Sequence, residues 1–241
     1  DDLIAAVRDL PKVCQYLHVP AQHGSDAVLA RMKRGYTIGE YMEMLGRVRA
    51  ALPDAAVTSD FIVGYCGETD AEFQVTLDLV RSAGFKNSFI FKYSPRPGTK
   101  AFDRLPDDVP EEVKRERNRV LLEAQEEASL AGNRRFVGTR QRVLVEGLST
   151  RDEKHGVDPG PDGVAQLSGR TTCDRIVVFD APTRLVGRIV DVDVLAAGAW
   201  SLSGVVADGL ADAVPLEGLR LSGESPELHD IALPAAPVRE V

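Results

Sequence analysis

Three short runs hold most of the residues able to do chemistry: His18-Val-Pro-Ala-Gln-His-Gly-Ser25, Gly64-Tyr-Cys-Gly-Glu68 and Tyr93-Ser-Pro-Arg-Pro-Gly98. In the first run, His18, Gln22 and Ser25 are donors suited to a carboxylate, although a buried, internally satisfied His18 fits the same string. In the second, Gly64 and Gly67 ahead of a helix start could bring backbone N–H groups up to a polar ligand. Glu68 could accept from an amine or a ribose hydroxyl. A plain tight turn, with Glu68 serving the helix N-terminus, accounts for the same residues. Arg34 and Arg96 could each pair with an anion or simply be solvated. Cys66 is a candidate thiolate only beside a charge that lowers its pKa, and a buried structural cysteine is the simpler reading.

Metal chemistry finds no support. Cys14, Cys66 and Cys173 are far apart, no CxxC or CxxxCxxC occurs, and the four histidines lack zinc spacing. An odd, scattered cysteine set is no disulfide framework and fits a reducing cytoplasm. No apolar run reaches the ~20 residues of a membrane helix, and no signal peptide opens the chain. The opening Asp1-Asp2-Leu3, without an initiator Met, reads as a fragment or a processed chain. The net charge of −8 disfavours indiscriminate nucleic-acid binding, but it is unevenly placed. Residues 134–200 carry ten Lys/Arg against nine Asp/Glu, whereas 201–241 carry two against seven.

The elements that must position the three runs alternate. Strands are expected at Cys14–Val19, Ala56–Gly64 and Asn87–Ser94, each leading into one of the runs. Helices open at Ser25, at the capping box Thr37/Glu40 and at a second capping box Thr69/Glu72. A long charged helix follows Pro110 to about Gly132, its expected role a solvated cover. Strand and helix in turn predict parallel βα units, whose strands end together where ligands bind. Three strands are too few for a closed barrel. After Gly138 the pattern becomes short, alternating and β-branched, which predicts a small all-β barrel. Its Arg140, Arg142, Arg170, Arg175, Arg184 and Arg188 could meet RNA or be ordinary surface. Three units result: 1–133, 138–206, and an acidic tail at 207–241 expected to be disordered.

The strings HVPAQHGSDAVLARMKRGYT, TSDFIVGYCGETDAEF and FIFKYSPRPGTKAF, in this order, resemble the radical S-adenosylmethionine methylthiotransferases. The segment SGRTTCDRIVVFDAPTRLVGRIVDVDV resembles the TRAM domain of those enzymes. The resemblance runs from about Leu3 to Val206. It implies an α/β fold: the C-terminal part of a partial (βα) barrel followed by a small all-β TRAM barrel. It implies S-adenosylmethionine as cofactor, and two [4Fe-4S] clusters in the full-length enzyme, with no ligand for either in this chain and no residue assigned a catalytic role.

On the same grounds His18, Gln22 and Ser25 would face the methionine part of the cofactor, with Arg34 near its carboxylate. Ile62, Val63 and Gly64 would lie along the adenosine, and Tyr93, Ser94 and Pro95 would touch the adenine edge. The partner implied is tRNA at its anticodon loop, bound by Arg140, Arg142, Arg170, Arg175 and Arg188, with no membrane and no oligomeric state specified. Phe91 to Thr99 resembles the branch that modifies isopentenyladenosine beside the anticodon, and Ser59-Asp60 resembles the branches that act on tRNA, on isopentenyladenosine or threonylcarbamoyladenosine. Two departures stand out: Gln22-His23 resembles the branch acting on a ribosomal-protein aspartate, and Cys66 stands where the family usually has proline. A half-protein that binds RNA without catalysis is the third reading.

Overall fold

The computed structural model describes residues 2–160 and 163–207. The tail expectation for 207–241 therefore lies, apart from Ala207, outside the described residues. Helix α1 (Asp2–Asp9) precedes β1 (Tyr16–His18), α2 (Asp26–Arg31), α3 (Ile38–Ala51), β2 (Ala56–Val63), α4 (Asp70–Ala83) and β3 (Asn87–Lys92). The short helix α5 (Lys100–Arg104) and the long α6 (Glu111–Arg134) follow.

Both expected capping boxes form. Thr37 accepts from Glu40 N while Glu40 reaches back to Thr37 N, and Thr69 and Glu72 repeat the arrangement, so orphan N–H groups at the starts of α3 and α4 are satisfied locally. β1, β2 and β3 form a parallel sheet in that order, with His18 opposite Thr58 and Asp60 opposite Phe89.

Because side chains alternate along a strand, β2 has two faces. Val57, Phe61 and Val63 point into a core with Leu45, Val48, Leu77, Val80, Phe85 and Leu121 from the helices and loops. Phe61 and Phe85 meet edge to face at 5.7 Å. Burying each such side chain stabilises by roughly 1.5–3 kcal/mol. Among the described residues no helix covers the opposite face, where Phe89 and Phe91 are exposed.

The second half closes into a five-stranded barrel, β4 (Arg140–Leu148), β5 (Val164–Thr171), β6 (Ile176–Pro182), β7 (Ile189–Ala197) and β8 (Ser201–Val206), in the order β4-β5-β6-β8-β7. Helix α7 (Thr150–Lys154) lies between β4 and β5, and a 3-10 turn covers Thr183–Leu185. Val143, Leu167, Val177, Val192 and Leu202 fill the interior, fully buried. A side chain at Gly169 would collide with the Leu144 carbonyl, so glycine permits the β4–β5 approach there. Thr183–Leu185 curls into the 3-10 turn, so β7 begins only at Ile189. The last strand, Ser201–Val206, pairs parallel to β6 and antiparallel to β7.

The barrel docks against the starts of the parallel strands. Gln15 N donates to Thr172 O at 2.9 Å, Lys86 Nζ meets Asp174 Oδ2 at 2.6 Å, and Ala56 is buried in the barrel's own core cluster. Asn133 Nδ2 donates to the Gly198 and Ala199 carbonyls at 2.9 and 3.0 Å.

Candidate functional site

The helix-free face of the sheet presents His18 from β1, Thr58, Asp60 and Ile62 from β2, and Phe89 and Phe91 from β3. His18 Nδ1 stands 2.9 Å from Thr58 Oγ1, and His18 Nε2 stands 3.4 Å from Asp60 Oδ1. The ring also meets Phe89 edge-on at 6.2 Å. Phe89 and Phe91 are 46% and 54% exposed, so two adjacent aromatic rings lie open beside a polar His–Asp pair. Stacking surface next to hydrogen-bonding groups is what a nucleoside needs.

The three runs meet at the C-terminal edge of this sheet. Gln22 N donates to Asp60 O at 2.8 Å and its carbonyl accepts from Ile62 N at 2.9 Å, which ties the first run to β2. Gln22 takes a left-handed φ of 67° to do so. Tyr93 N donates to Val63 O at 2.8 Å, tying in the third run. Gln22, Gly64 and Tyr93 therefore share one edge, as the spacing predicted. Ser94 and Pro95 are exposed beyond Tyr93, and Arg34 is exposed after α2. Ser25 is buried at the start of α2, where its side chain makes no capping bond.

Behind the edge lies a buried polar chain. Glu68, its side chain fully enclosed, accepts from Gly64 N through a short hydrogen bond and from Tyr65 N at 3.0 Å. Arg117 Nη1 stands 3.3 Å from Glu68 Oε1, an ion pair without hydrogen-bond geometry, and Nη2 donates to Asp70 Oδ1 at 2.7 Å. His23 Nε2 lies 3.7 Å from Glu68 Oε2, and His23 Nδ1 accepts from Ser25 N at 3.0 Å. The network fixes the Gly64 turn and the first run against α4 and α6. A cavity of about 280 Å³ lined by Glu68, Asp108 and Arg117 borders it, on the helix side rather than the open face.

Two open alternatives resolve, at Glu68 and His18, and two adenosine candidates, Val63 and Gly64, take other roles. Glu68 serves the backbone of its own loop and is closed to a ligand. Val63 points into the helix-covered core at 0% exposure, so of the three adenosine candidates Ile62 alone turns its side chain to the open face. His18 is exposed; the buried histidine is His23. Gly64 has φ +71°, and a Cβ there would run into the stem of Lys114, so the glycine makes room for α6. Lys114 in turn bonds Asp107 and sits over the Tyr93 ring at 5.4 Å, where desolvation raises the Tyr93 hydroxyl pKa and a hydrogen bond with Cys66 adds to the rise. Sequence reasoning passed over Phe89 and Phe91; the period-two pattern of Asn87–Lys92 was the available signal.

On the barrel, Arg175 is a correction. It is buried, stacks over Phe136 at 4.2 Å and donates to Asn133 Oδ1 at 3.1 Å, so it packs the domain junction instead of facing RNA. Arg140 is paired with Asp193 at 2.8 Å, and Arg170 with Asp174 at 2.7 Å and Glu146 at 3.2 Å. Arg142 and Arg188 are exposed and have no ion pair among the described residues.

Among the described residues no group of three or more His, Cys, Asp or Glu could hold a metal, and Cys14, Cys66 and Cys173 are separate. The residues present therefore do not fit an iron–sulfur cluster. The aromatic and polar open face does fit the adenosine part of S-adenosylmethionine. No described helix is long and apolar enough to cross a membrane.

A parallel βα sheet with loops meeting at one edge, followed by a closed five-stranded barrel, agrees with the comparisons. Residues 1–80 match the Radical SAM superfamily and residues 134–207 match the TRAM domain. A Radical SAM segment followed by a TRAM domain is the pairing its motifs implied. It is 52% identical over 204 residues to the tRNA-2-methylthio-N(6)-dimethylallyladenosine synthase of Rhodopirellula baltica, covering 85% of this chain and 42% of that protein. The proteins of the same name from Chromohalobacter salexigens and Neisseria meningitidis are 44% and 45% identical, each matched over 86% of this chain and 44% of its own length. The chain thus spans less than half the length of these curated relatives.

Proposed function

We propose that this chain is the C-terminal part of a cytoplasmic tRNA methylthiotransferase that adds a 2-methylthio group to N6-isopentenyladenosine beside the anticodon. The observation that carries this reading is the convergence of Gln22, Gly64 and Tyr93 on one sheet edge next to an open aromatic face. S-adenosylmethionine, when bound, supplies the radical and methyl chemistry. The chain's own residues orient it: Ile62, Phe89 and Phe91 offer apolar surface to an adenosine, and His18 with Asp60 offers hydrogen bonds to its polar edge. Ser94 and Pro95 extend the same edge, and Arg34 supplies a nearby positive charge for a carboxylate. The clusters have no ligands here, so no step is assigned to them. The TRAM barrel holds the anticodon arm of tRNA through Arg142 and Arg188, the two candidate arginines that are exposed and have no ion pair among the described residues.

The ribosomal-protein reading rested on Gln22-His23. His23 is enclosed and engages Ser25 N and Glu68, a structural task that serves either substrate equally. Nucleoside mass spectrometry of tRNA from a strain lacking the gene tests the choice. Loss of the methylthio group from isopentenyladenosine is expected, and unchanged levels would remove the tRNA reading.

A further inference from the structure

Residues 134–142, from the end of α6 into β4, hold four arginines and no acid: Arg134, Arg135, Arg142 and Arg140, the last paired with Asp193. In a chain of net charge −8 this is a marked local excess of positive charge. This segment borders a cavity of about 240 Å³ between the two domains. One wall comes from the start of the parallel sheet, Gln15 and Asp54. The other comes from Arg135, Phe136, Thr139 and Gln141, with Thr172 and Cys173 closing it. By volume it holds about eight waters, which is also room for a nucleobase.

The lining has the chemistry of a base edge. Gln15 and Gln141 carry amides, which can both donate and accept, and Asp54 carries a pure acceptor; these are the groups that pair with adenine or cytosine edges. Gln141 Nε2 donates to Thr139 Oγ1 at 2.9 Å, and its carbonyl oxygen has no partner among the described residues. Arg135 is exposed at the rim with no ion pair among the described residues, where a phosphate next to the seated base would stand.

We propose that this interdomain cleft is a second nucleotide site, which seats one base of a bound RNA between Gln15, Asp54 and Gln141 and its phosphate on Arg135. The proposal rests on the reading of the chain as an RNA-binding protein, but it names a place and a mode that reading does not contain. The site lies at the starts of the parallel strands, the opposite end from the cofactor edge. An RNA segment other than the modified nucleotide would occupy it.

The test is titration of this chain with a fluorescein-labelled RNA hairpin at several salt concentrations. Arg135→Ala should weaken binding and lower the salt slope by about one phosphate's worth. Gln141→Ala should weaken binding about tenfold with the salt slope unchanged, the mark of a base contact. Should Gln141→Ala fail to fold, Gln15→Glu probes the same cleft from the other wall. Parent-like affinity in these variants, while Arg142→Ala with Arg188→Ala loses affinity, overturns the cleft and leaves the RNA reading intact. A parent chain that binds no RNA overturns both.

Discussion

The stem of Lys114 occupies the space where a side chain at Gly64 would stand, so α6 closes directly over the turn that follows β2. Gly64→Ala should therefore destabilise twice over, through the positive φ and through displacement of a buried lysine. A loss of about 2–3 kcal/mol is expected in urea unfolding. Lys114→Ala in the same chain should recover part of it, because the clash is removed while the backbone strain remains. Strict additivity in the double-mutant cycle would show that the two residues do not compete for space.

Glu68→Gln tests the buried network. The amide keeps the shape but leaves Arg117 enclosed, with exposed Asp70 as its remaining anion. Removing one member of a buried pair costs about 3–5 kcal/mol. The lower end is expected here, because Asp70 stays in place. A change below about 1 kcal/mol would mean that the turn is held by other contacts.

Acid should loosen the start of α4. Burial alone would raise the Glu72 carboxyl, but the Arg31 guanidinium at 2.9 Å and the Thr69 groups outweigh it and hold it at about 2, against an ordinary value of 4.5. A depressed carboxylate contributes stability that is complete above pH 4.5 and is lost as pH falls towards about 2. The contribution is at most about 3 kcal/mol, reduced by partial solvent access. Arg31→Ala should flatten the stability profile in that window, and an unchanged slope would clear Glu72 of the role.

Arg175 and Arg142 should behave in opposite ways. Arg175→Ala should lower the melting temperature while leaving the salt dependence of RNA binding as it was, since the side chain is packed on Phe136. Arg142→Ala should spare stability and reduce the salt slope by about one unit. A reversal of these two results would reassign the barrel's RNA face.

What the sequence made legible was local. The capping boxes at Thr37 and Thr69 each lie within four residues, and both formed where expected. The convergence of the three runs followed from parallel topology alone. What it hid was long-range. Arg175 looks like any surface arginine until Asn133 and Phe136, about forty residues earlier, close over it. Val63 and Ile62 are neighbours in sequence, yet the strand's alternation sends one into the core and the other to the open face. The strand Ser201–Val206 reads as a polar loop, because its two serines and a glycine become strand-like only when β6 and β7 flank it. Glu68 was placed correctly beside the Gly64 turn, but only the packed helices show that it faces inward.

The barrel sits on the starts of the three parallel strands, and the edge shared by Gln22, Gly64 and Tyr93 lies at their far ends, with the eight residues of β2 between them. At about 3.3 Å per residue that gap is roughly 25 Å. A nucleic acid that gripped both ends would have to be rigid enough to span it, so a bare loop cut from its stem should bind far more weakly than the intact hairpin in the same titration.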